Sequence, residues 1–197
     1  MQFPPVETRT TALPAPSAAM RDLGILQRED PLLQRVASPF SLPADADHAR
    51  WVVDALQARA AQVREVHNFS KGMGLAAPQL GVGRRAAIVR PPDTAPTIVL
   101  LNARVVDGTP ETGELRYEGC LSFFDVRGRL SRPHTIQVEH QDLDGTRHST
   151  TYTGNLARLV AHEIDHLDGI LYTDRMAPDE RPIPVWEYRR AGRGWRY

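Results

Sequence analysis

Hydrophobic residues recur at helical spacing in two segments of the chain. Between residues 45 and about 66, one face carries Val52, Leu56, Ala60 and Val63, and from 154 to about 168 the spacing returns with Leu156, Leu159, Val160 and Ile164. Apolar positions three or four residues apart predict an amphipathic helix. Asp45 before the first segment and Gly169 after the second are typical boundary signals. The pattern therefore predicts two helices.

Short apolar runs fill most of the region between these two helices. They predict strands over 86–89, 97–101, 104–106, 114–117, 135–139 and 148–152. Asp107-Gly108 and Asp144-Gly145 have the composition of hairpin turns, whereas the glycines within 68–83 predict a loop-rich segment. A series of strands followed by one helix predicts an α+β fold with mainly antiparallel sheets.

Composition limits the organisation and the function of the chain. Its 197 residues suit one domain, and 24 basic and 24 acidic residues exclude a general binder of polyanions. Residues 1–20 are rich in proline and lack a signal-peptide core, so we expect a disordered N-terminal extension, with a transit peptide as the alternative. Residues 21–197 are predicted to be a single catalytic domain that includes an extended C-terminal tail. No run of residues is long and apolar enough to span a membrane.

The second predicted helix carries a motif with metal-binding chemistry. His162 and His166 are four residues apart, so they share a helix face and could bind one metal ion, with Glu163 beside them to act on bound water. The alternative is a pair of solvent-facing histidines, which the apolar character of the helix disfavours. A catalytic metal site needs a third protein ligand. No histidine follows His166, and Cys120 is the only thiol, although a lone cysteine can also be a small buried hydrophobe.

Three motifs together resemble a known family. Residues 72–79 (GMGLAAPQ), 118–122 (EGCLS) and 162–166 (HEIDH) are similar, in order and spacing, to the signature motifs of peptide deformylases. The resemblance covers about 26–176. It implies an α+β fold in which mainly antiparallel sheets pack around a central helix that carries the His-Glu-x-x-His motif.

The resemblance also implies a reaction and the residues that perform it. Cys120, His162 and His166 would hold one divalent metal ion. Fe²⁺ is the expected native ion, and Zn²⁺, Ni²⁺ or Co²⁺ could replace it. The reaction would remove the formyl group from the N-terminal methionine of newly made polypeptides and release formate. Glu163 would act as general acid and base, while the Gln79 amide and the Leu121 backbone N–H would stabilise the oxyanion.

Substrate-binding residues follow from the same resemblance. Met73 and Gly74 match an edge that pairs with extended substrate backbone, and Gly119 and Arg127 complete the predicted substrate contacts. Leu159, with Met73, would line the methionine pocket, although core packing explains Leu159 equally well. Arg132 is a candidate salt-bridge partner for Asp165, in a structural role.

The predicted partners are N-formyl-Met nascent peptides in the cytoplasm. We expect a monomer and no membrane association. A solvated tail is the simpler interpretation of the C-terminal arginines. The alternative is a transient ribosome contact through Arg189, Arg190, Arg193 and Arg196. Three alternatives stay open, namely a deformylase specialised for another formylated substrate, a zinc metalloprotease and a non-catalytic paralogue.

Overall fold

The computed structural model describes residues 16–69, 71–92, 95–111 and 114–190. Within these residues the helices are Pro16–Asp22 (α1), Ala46–Val66 (α2), Gly154–Leu167 (α3) and Val185–Arg190 (α4). The strands β1 to β8 are, in order, Met73–Ala76, Ala86–Arg90, Ile98–Gly108, Arg116–Glu118, Val126–Leu130, Thr135–Gln141, Arg147–Thr153 and Ile183–Pro184. Short 3-10 helices cover Pro31–Gln34, Ala77–Leu80, Leu121–Phe123 and Tyr172–Arg175.

The strands form two antiparallel sheets. The larger has the order β1-β2-β3-β6-β7, and the smaller has the order β4-β5-β8. In the larger sheet β1 pairs with β2 through Met73↔Arg90 to Ala76↔Ala87, and β1 lies at the edge. The prediction of an α+β fold with mainly antiparallel sheets is confirmed.

The larger sheet separates two apolar clusters. Along β2, Ala86 and Ile88 pack with the apolar face of α2, whereas Ala87 and Val89 pack with the apolar face of α3. Successive strand residues point to opposite faces, so a continuous apolar strand can bury both sides. The helix α3 is therefore fixed against the sheet, and its motif histidines stay in place.

Several element predictions need correction. The predicted strands 97–101 and 104–106 are one bulged strand, and Asp107-Gly108 is not a turn because Asp107 pairs with Gln137 of β6. The Asp144-Gly145 turn between β6 and β7 is confirmed. Strand β1 lies inside the segment predicted to be loop-rich, and β5 escaped prediction because its polar sequence, VRGRL, hides a mostly buried strand.

The predicted N-terminal boundary lies too late in the chain. Helix α1 begins at Pro16, and Met20 is 1% exposed in the apolar cluster around α2. The Ser17 backbone N–H donates to Asp125 Oδ1 at 2.9 Å. Residues 16–20 therefore belong to the folded part. The rest of the predicted extension, 1–15, and the end of the tail, 191–197, lie outside the described residues.

The tail is helical where it is described. The sequence favoured an extended segment, but Val185–Arg190 forms α4, and Val185 is buried. In the described part of the chain, every helix is too short or too polar to cross a bilayer.

Candidate active site

Cys120, His162 and His166 form a compact cluster of metal-ligating side chains. One ligand atom from each lies within 4.8 Å of the other two, and all three residues are buried. Cys120 Sγ is 3.2 Å from His166 Nε2. Helix α3 supplies both histidines one turn apart, and Cys120 follows β4 across the site. The structure brings together the three residues that the sequence predicted as ligands.

The electrostatics of this cluster fit a cation. Burial raises the pKa of the Cys120 thiol, but the neighbouring His166 and His162 outweigh it and hold that pKa well below its ordinary value. A thiolate is the form of cysteine that ligates metals. A divalent ion held by a thiolate and two neutral imidazoles would replace protons, so metal binding is expected to weaken at low pH. Thiolate and two imidazoles suit a borderline-soft metal rather than Mg²⁺ or Ca²⁺.

Glu118 orients His162, one of the three candidate metal ligands, through a contact with its Nδ1 atom. Its Oε2 lies 3.2 Å from His162 Nδ1, which leaves the other ring nitrogen for the cluster. Arg132 binds both Glu118 oxygens, at 2.7 and 2.9 Å, and Arg158 adds an ion pair at 2.9 Å. Burial raises the pKa of Glu118, but Arg132 and His162 outweigh it and hold the pKa well below its usual range. Such a partner fixes the tautomer and orientation of a ligating histidine.

Arg132 extends this network to the far side of α3. Its Nη1 donates to Asp165 Oδ2 at 2.8 Å, and Arg175 Nε donates to the same oxygen at 2.6 Å. The predicted Arg132–Asp165 salt bridge is thus present. Because Arg132 and Asp165 are 3% and 5% exposed, the pair is a buried one whose partners depend on each other.

Glu163 occupies a buried position beside the ligand cluster. It is 3% exposed, and its Oε2 has no hydrogen-bond partner among the described residues. Burial raises the pKa of Glu163 to about 7, against the lowering influence of His162 and His166. A carboxyl group with such a pKa can accept and return a proton near neutrality. The carboxylate packs directly on Gly74 of β1, where a larger residue would displace it.

Gln79 presents its amide to the same site. Its Oε1 accepts from the Ala76 backbone N–H at 2.9 Å, which directs Nε2 toward Ser122 Oγ at 3.2 Å and Cys120 Sγ at 3.5 Å. Leu121, which follows Cys120, is buried and begins a 3-10 helix. The Gln79 amide therefore lies beside Cys120, and Leu121 is the next residue in the chain.

A cavity of about 410 Å³ opens onto these groups. Gly72 and the start of β1 form one wall, β4 and the Cys120 loop another, and the first three turns of α3 a third. The lining includes Cys120, His162, Glu163, Gln79 and Leu121, together with the predicted substrate residues Met73, Gly74 and Gly119 and the pocket residue Leu159. The cavity thus joins a metal-ligand cluster to a strand edge.

Comparison with known proteins gives the family. The model of the family described as polypeptide deformylase matches residues 23–182. The chain belongs to this family. A peptide deformylase of Shouchella clausii is 32% identical over 173 residues, 81% of this chain and 94% of its own length.

Solved deformylase structures share the fold. A class I type b peptide deformylase of Acinetobacter baumannii superposes with a TM-score of 0.68 at 32% identity, over 77% of this chain and 97% of its own. The structure of that deformylase bound to Met-Ala-Ser gives 0.66 at 29% identity, over 77% and 96%. Members of the family are metal-dependent hydrolases that remove the N-formyl group from nascent peptides, and this chain is a peptide deformylase by that membership.

One predicted substrate residue of this deformylase lies elsewhere. Arg127 is 1% exposed and is not among the described residues that line the cavity. Its Nη1 donates to the carbonyls of Phe124 and Val126 at 3.0 and 2.6 Å, and its guanidinium lies 5.1 Å from the Phe124 ring centroid. Strand β5 turns this side chain inward, so Arg127 contacts the loop after Cys120, and its contact with substrate stays a prediction.

Other residues of the deformylase site were missed by the sequence reasoning. Glu118 lies in the EGCLS motif, two residues before Cys120, and this position could have indicated that it orients a metal ligand. Helical spacing from His162 could have placed Arg158 and Asn155 on the cavity face of α3. The cavity contacts of Arg116, Tyr117 and Tyr188 depend on tertiary packing, which no local signal gives.

Proposed function

We propose that this deformylase hydrolyses the N-formyl group of nascent peptides that begin with formyl-methionine, using Glu163 as the proton carrier. The proposal rests on the position of the buried Glu163 carboxylate beside the Cys-His-His cluster, where both line one cavity. A hydrolase needs a water nucleophile, a group that moves protons and donors for the oxyanion, and this site has candidates for each.

Cys120, His162 and His166 would hold the metal ion, and we propose Fe²⁺ as the native one. A bound divalent ion supplies a water of lowered pKa and polarises a carbonyl oxygen. Glu118 keeps the His162 ring in the required tautomer through the 3.2 Å contact to Nδ1.

Glu163 moves the protons of the reaction. Its carboxylate takes a proton from the attacking water as the new O–C bond forms at the formyl carbon. The same proton then passes from Glu163 to the methionine nitrogen as the C–N bond breaks, which releases formate and a free amine. General acid–base catalysis of this kind contributes about 10²–10⁴-fold in rate.

Gln79 and Leu121 stabilise the charge that develops on the formyl oxygen. The Ala76 contact holds the Gln79 amide so that its N–H group faces the site, and the Leu121 backbone N–H lies next in the chain to the thiolate residue. Loss of one oxyanion donor costs about 10²–10³-fold in the rate.

The substrate backbone binds along the free edge of β1. One side of β1 pairs with β2, and its other side faces the cavity at Gly72, Met73 and Gly74. Added strand pairing supplies hydrogen bonds that do not depend on substrate sequence. Such recognition suits an enzyme that must accept many nascent chains.

Nascent chains as substrates place the proposed activity in the cytoplasm, near the ribosome. The monomeric state is also a proposal. Arg189 and Arg190 lie on α4 and are exposed, so they offer positive charge for a transient ribosome contact. Arg193 and Arg196, the other two residues of that prediction, lie outside the described residues.

Formate release tests the proposed function. Anaerobically purified, iron-loaded protein is given formyl-Met-Ala-Ser, with acetyl-Met-Ala-Ser and unblocked Met-Ala-Ser as controls. We expect formate from the formylated peptide alone. Absence of formate would contradict deformylase activity, and cleavage of internal bonds in Met-Ala-Ser would instead support the metalloprotease alternative.

A second candidate is a deformylase for a formylated substrate other than formyl-methionine. Two polar residues, Asn155 and Arg158, continue the cavity face of α3 from His162, and Arg116 Nη1 donates to Asn155 Oδ1 at 3.0 Å. A methionine side chain prefers apolar walls, whereas Asn155, Arg158 and Arg116 suit a substrate with a polar or acidic side chain. A kcat/KM for formyl-Glu-Ala-Ser above that for formyl-Met-Ala-Ser would favour this candidate, and a lower value would reject it.

A further inference from the structure

The C-terminal segment beyond the family match contributes to the substrate cavity. The match ends at residue 182, and Tyr188 of α4 lines the same cavity as Glu163 and Cys120. We propose that Tyr188 is a specificity-determining residue that contacts the side chain of the third residue of the peptide substrate. This inference depends on the proposed function.

The segment is anchored so that Tyr188 has a defined position. Strand β8 pairs with β5 through Arg127↔Ile183 and Val126↔Pro184. The Val185 backbone N–H then donates to the Asp125 carbonyl at 2.8 Å, and the Val185 side chain is 6% exposed. Helix α4 therefore starts from a fixed point on the loop that follows Cys120.

Tyr188 packs against an aromatic residue of the neighbouring strand. Its ring lies 5.1 Å from that of Tyr117 in an edge-to-face arrangement, and both residues line the cavity. The two rings come from β4 and α4, so they form a paired aromatic wall. Tyr188 is half-buried, which leaves part of its ring open to a ligand.

The distance along β4 indicates which substrate residue meets this wall. Tyr117 precedes Cys120 by three residues, so the two Cα atoms are separated by at most about 10 Å. An extended peptide advances about 3.3 Å for each residue. A peptide with its formyl group at the ligand cluster and its chain running toward Tyr117 and Tyr188 would therefore bring its third residue level with these rings, where an aromatic or apolar side chain would be favoured.

Steady-state kinetics of Tyr188→Ala test this role. The substrates are formyl-Met-Ala-Phe and the shorter formyl-Met-Ala, which ends before the aromatic wall. We expect KM for formyl-Met-Ala-Phe to rise about fivefold, as for the loss of an aromatic pair, with kcat within about twofold. The KM for formyl-Met-Ala should be unchanged, and Tyr188→Phe should keep the wild-type preference.

Trp186→Ala is the matched control on the same helix. Trp186 is 57% exposed and is not among the described residues that line the cavity, so its loss should leave both substrates unaffected. Equal changes for the two substrates, or no change for formyl-Met-Ala-Phe, would overturn the inference. A variant with an altered far-ultraviolet circular dichroism spectrum is replaced by Tyr188→Leu. No formate from wild-type protein with any substrate would instead overturn the proposed function.

Discussion

Gly74 gives the Glu163 carboxylate the space that it occupies. A Cβ added to Gly74 would lie closer than 3.0 Å to Glu163 Oε1, Cδ and Cγ, whereas ordinary contacts begin at 3.4 Å. The Glu163 side chain can move more easily than β1, which is paired with β2. In a Gly74→Ala variant, the carboxylate is therefore expected to retreat by about 1 Å, a displacement that can cost about 10²-fold in rate.

The assay compares kcat, metal content and thermal stability of this variant with wild type. We expect kcat for formyl-Met-Ala-Ser to fall about 10²-fold, with unchanged metal per chain because the three atoms nearest to the new methyl group all belong to Glu163 and none to a ligand residue. Gly83→Ala is the matched control, since a Cβ there meets nothing within 4 Å and should leave kcat unaltered.

A double variant separates displacement of Glu163 from damage elsewhere. If Gly74→Ala acts through Glu163, adding it to Glu163→Ala should lower kcat little further, because the two changes remove one contribution. Wild-type kcat in Gly74→Ala, or full additivity in the double variant, would show that Gly74 does not act by giving the Glu163 carboxylate its space.

Three further predictions address the ligands, the buried ion network and pH. Cys120→Ala should lower bound metal per chain at least about tenfold by elemental analysis, because two imidazoles leave the ion short of a ligand; undiminished metal would remove Cys120 from the set. Arg132→Met should lower the free energy of unfolding in urea by about 3 kcal/mol, because Glu118 and Asp165 lose their shared buried partner; a change below about 1 kcal/mol would contradict this. Burial lowers the pKa of His67 to about 4, so the unfolded chain binds more protons than the folded one between pH 6.5 and 4. The free energy of unfolding of chelator-treated protein should therefore fall by about 1–2 kcal/mol over this range. An equal fall in His67→Phe would argue against a contribution from His67.

Helices α2 and α3 could be predicted because their periodicity is local. Both faces of β2 are covered, so residues 86–89 are an uninterrupted apolar run and this strand was also predicted correctly. Strand β5 and helix α1, in contrast, could not be predicted from a local pattern. Arg127 is buried in β5 through backbone carbonyls, and Met20 is buried through contact with distant residues of α2. Their burial depends on partners far away in the sequence, which no local pattern reveals.

The chemistry of the site was more predictable than its walls. The ligands and Glu163 lie within short motifs, and the helix fixes the relation of His162 to His166. Arg127, in contrast, was assigned by resemblance alone, and β5 turns its side chain inward, away from the described residues that line the cavity. Tyr188 reaches the cavity through β8 and α4, so its contribution could only be found from the folded chain.

Formate release by Glu163→Gln shows whether Glu163 carries the protons of the reaction. The amide keeps the size of the side chain but cannot take a proton from water, while the ligands Cys120, His162 and His166 are unchanged. With wild-type and variant proteins matched in metal content, we predict that formate release from formyl-Met-Ala-Ser falls by about 10²–10⁴-fold. Release at the wild-type rate by the metal-matched variant would contradict the assignment of Glu163 as the proton carrier.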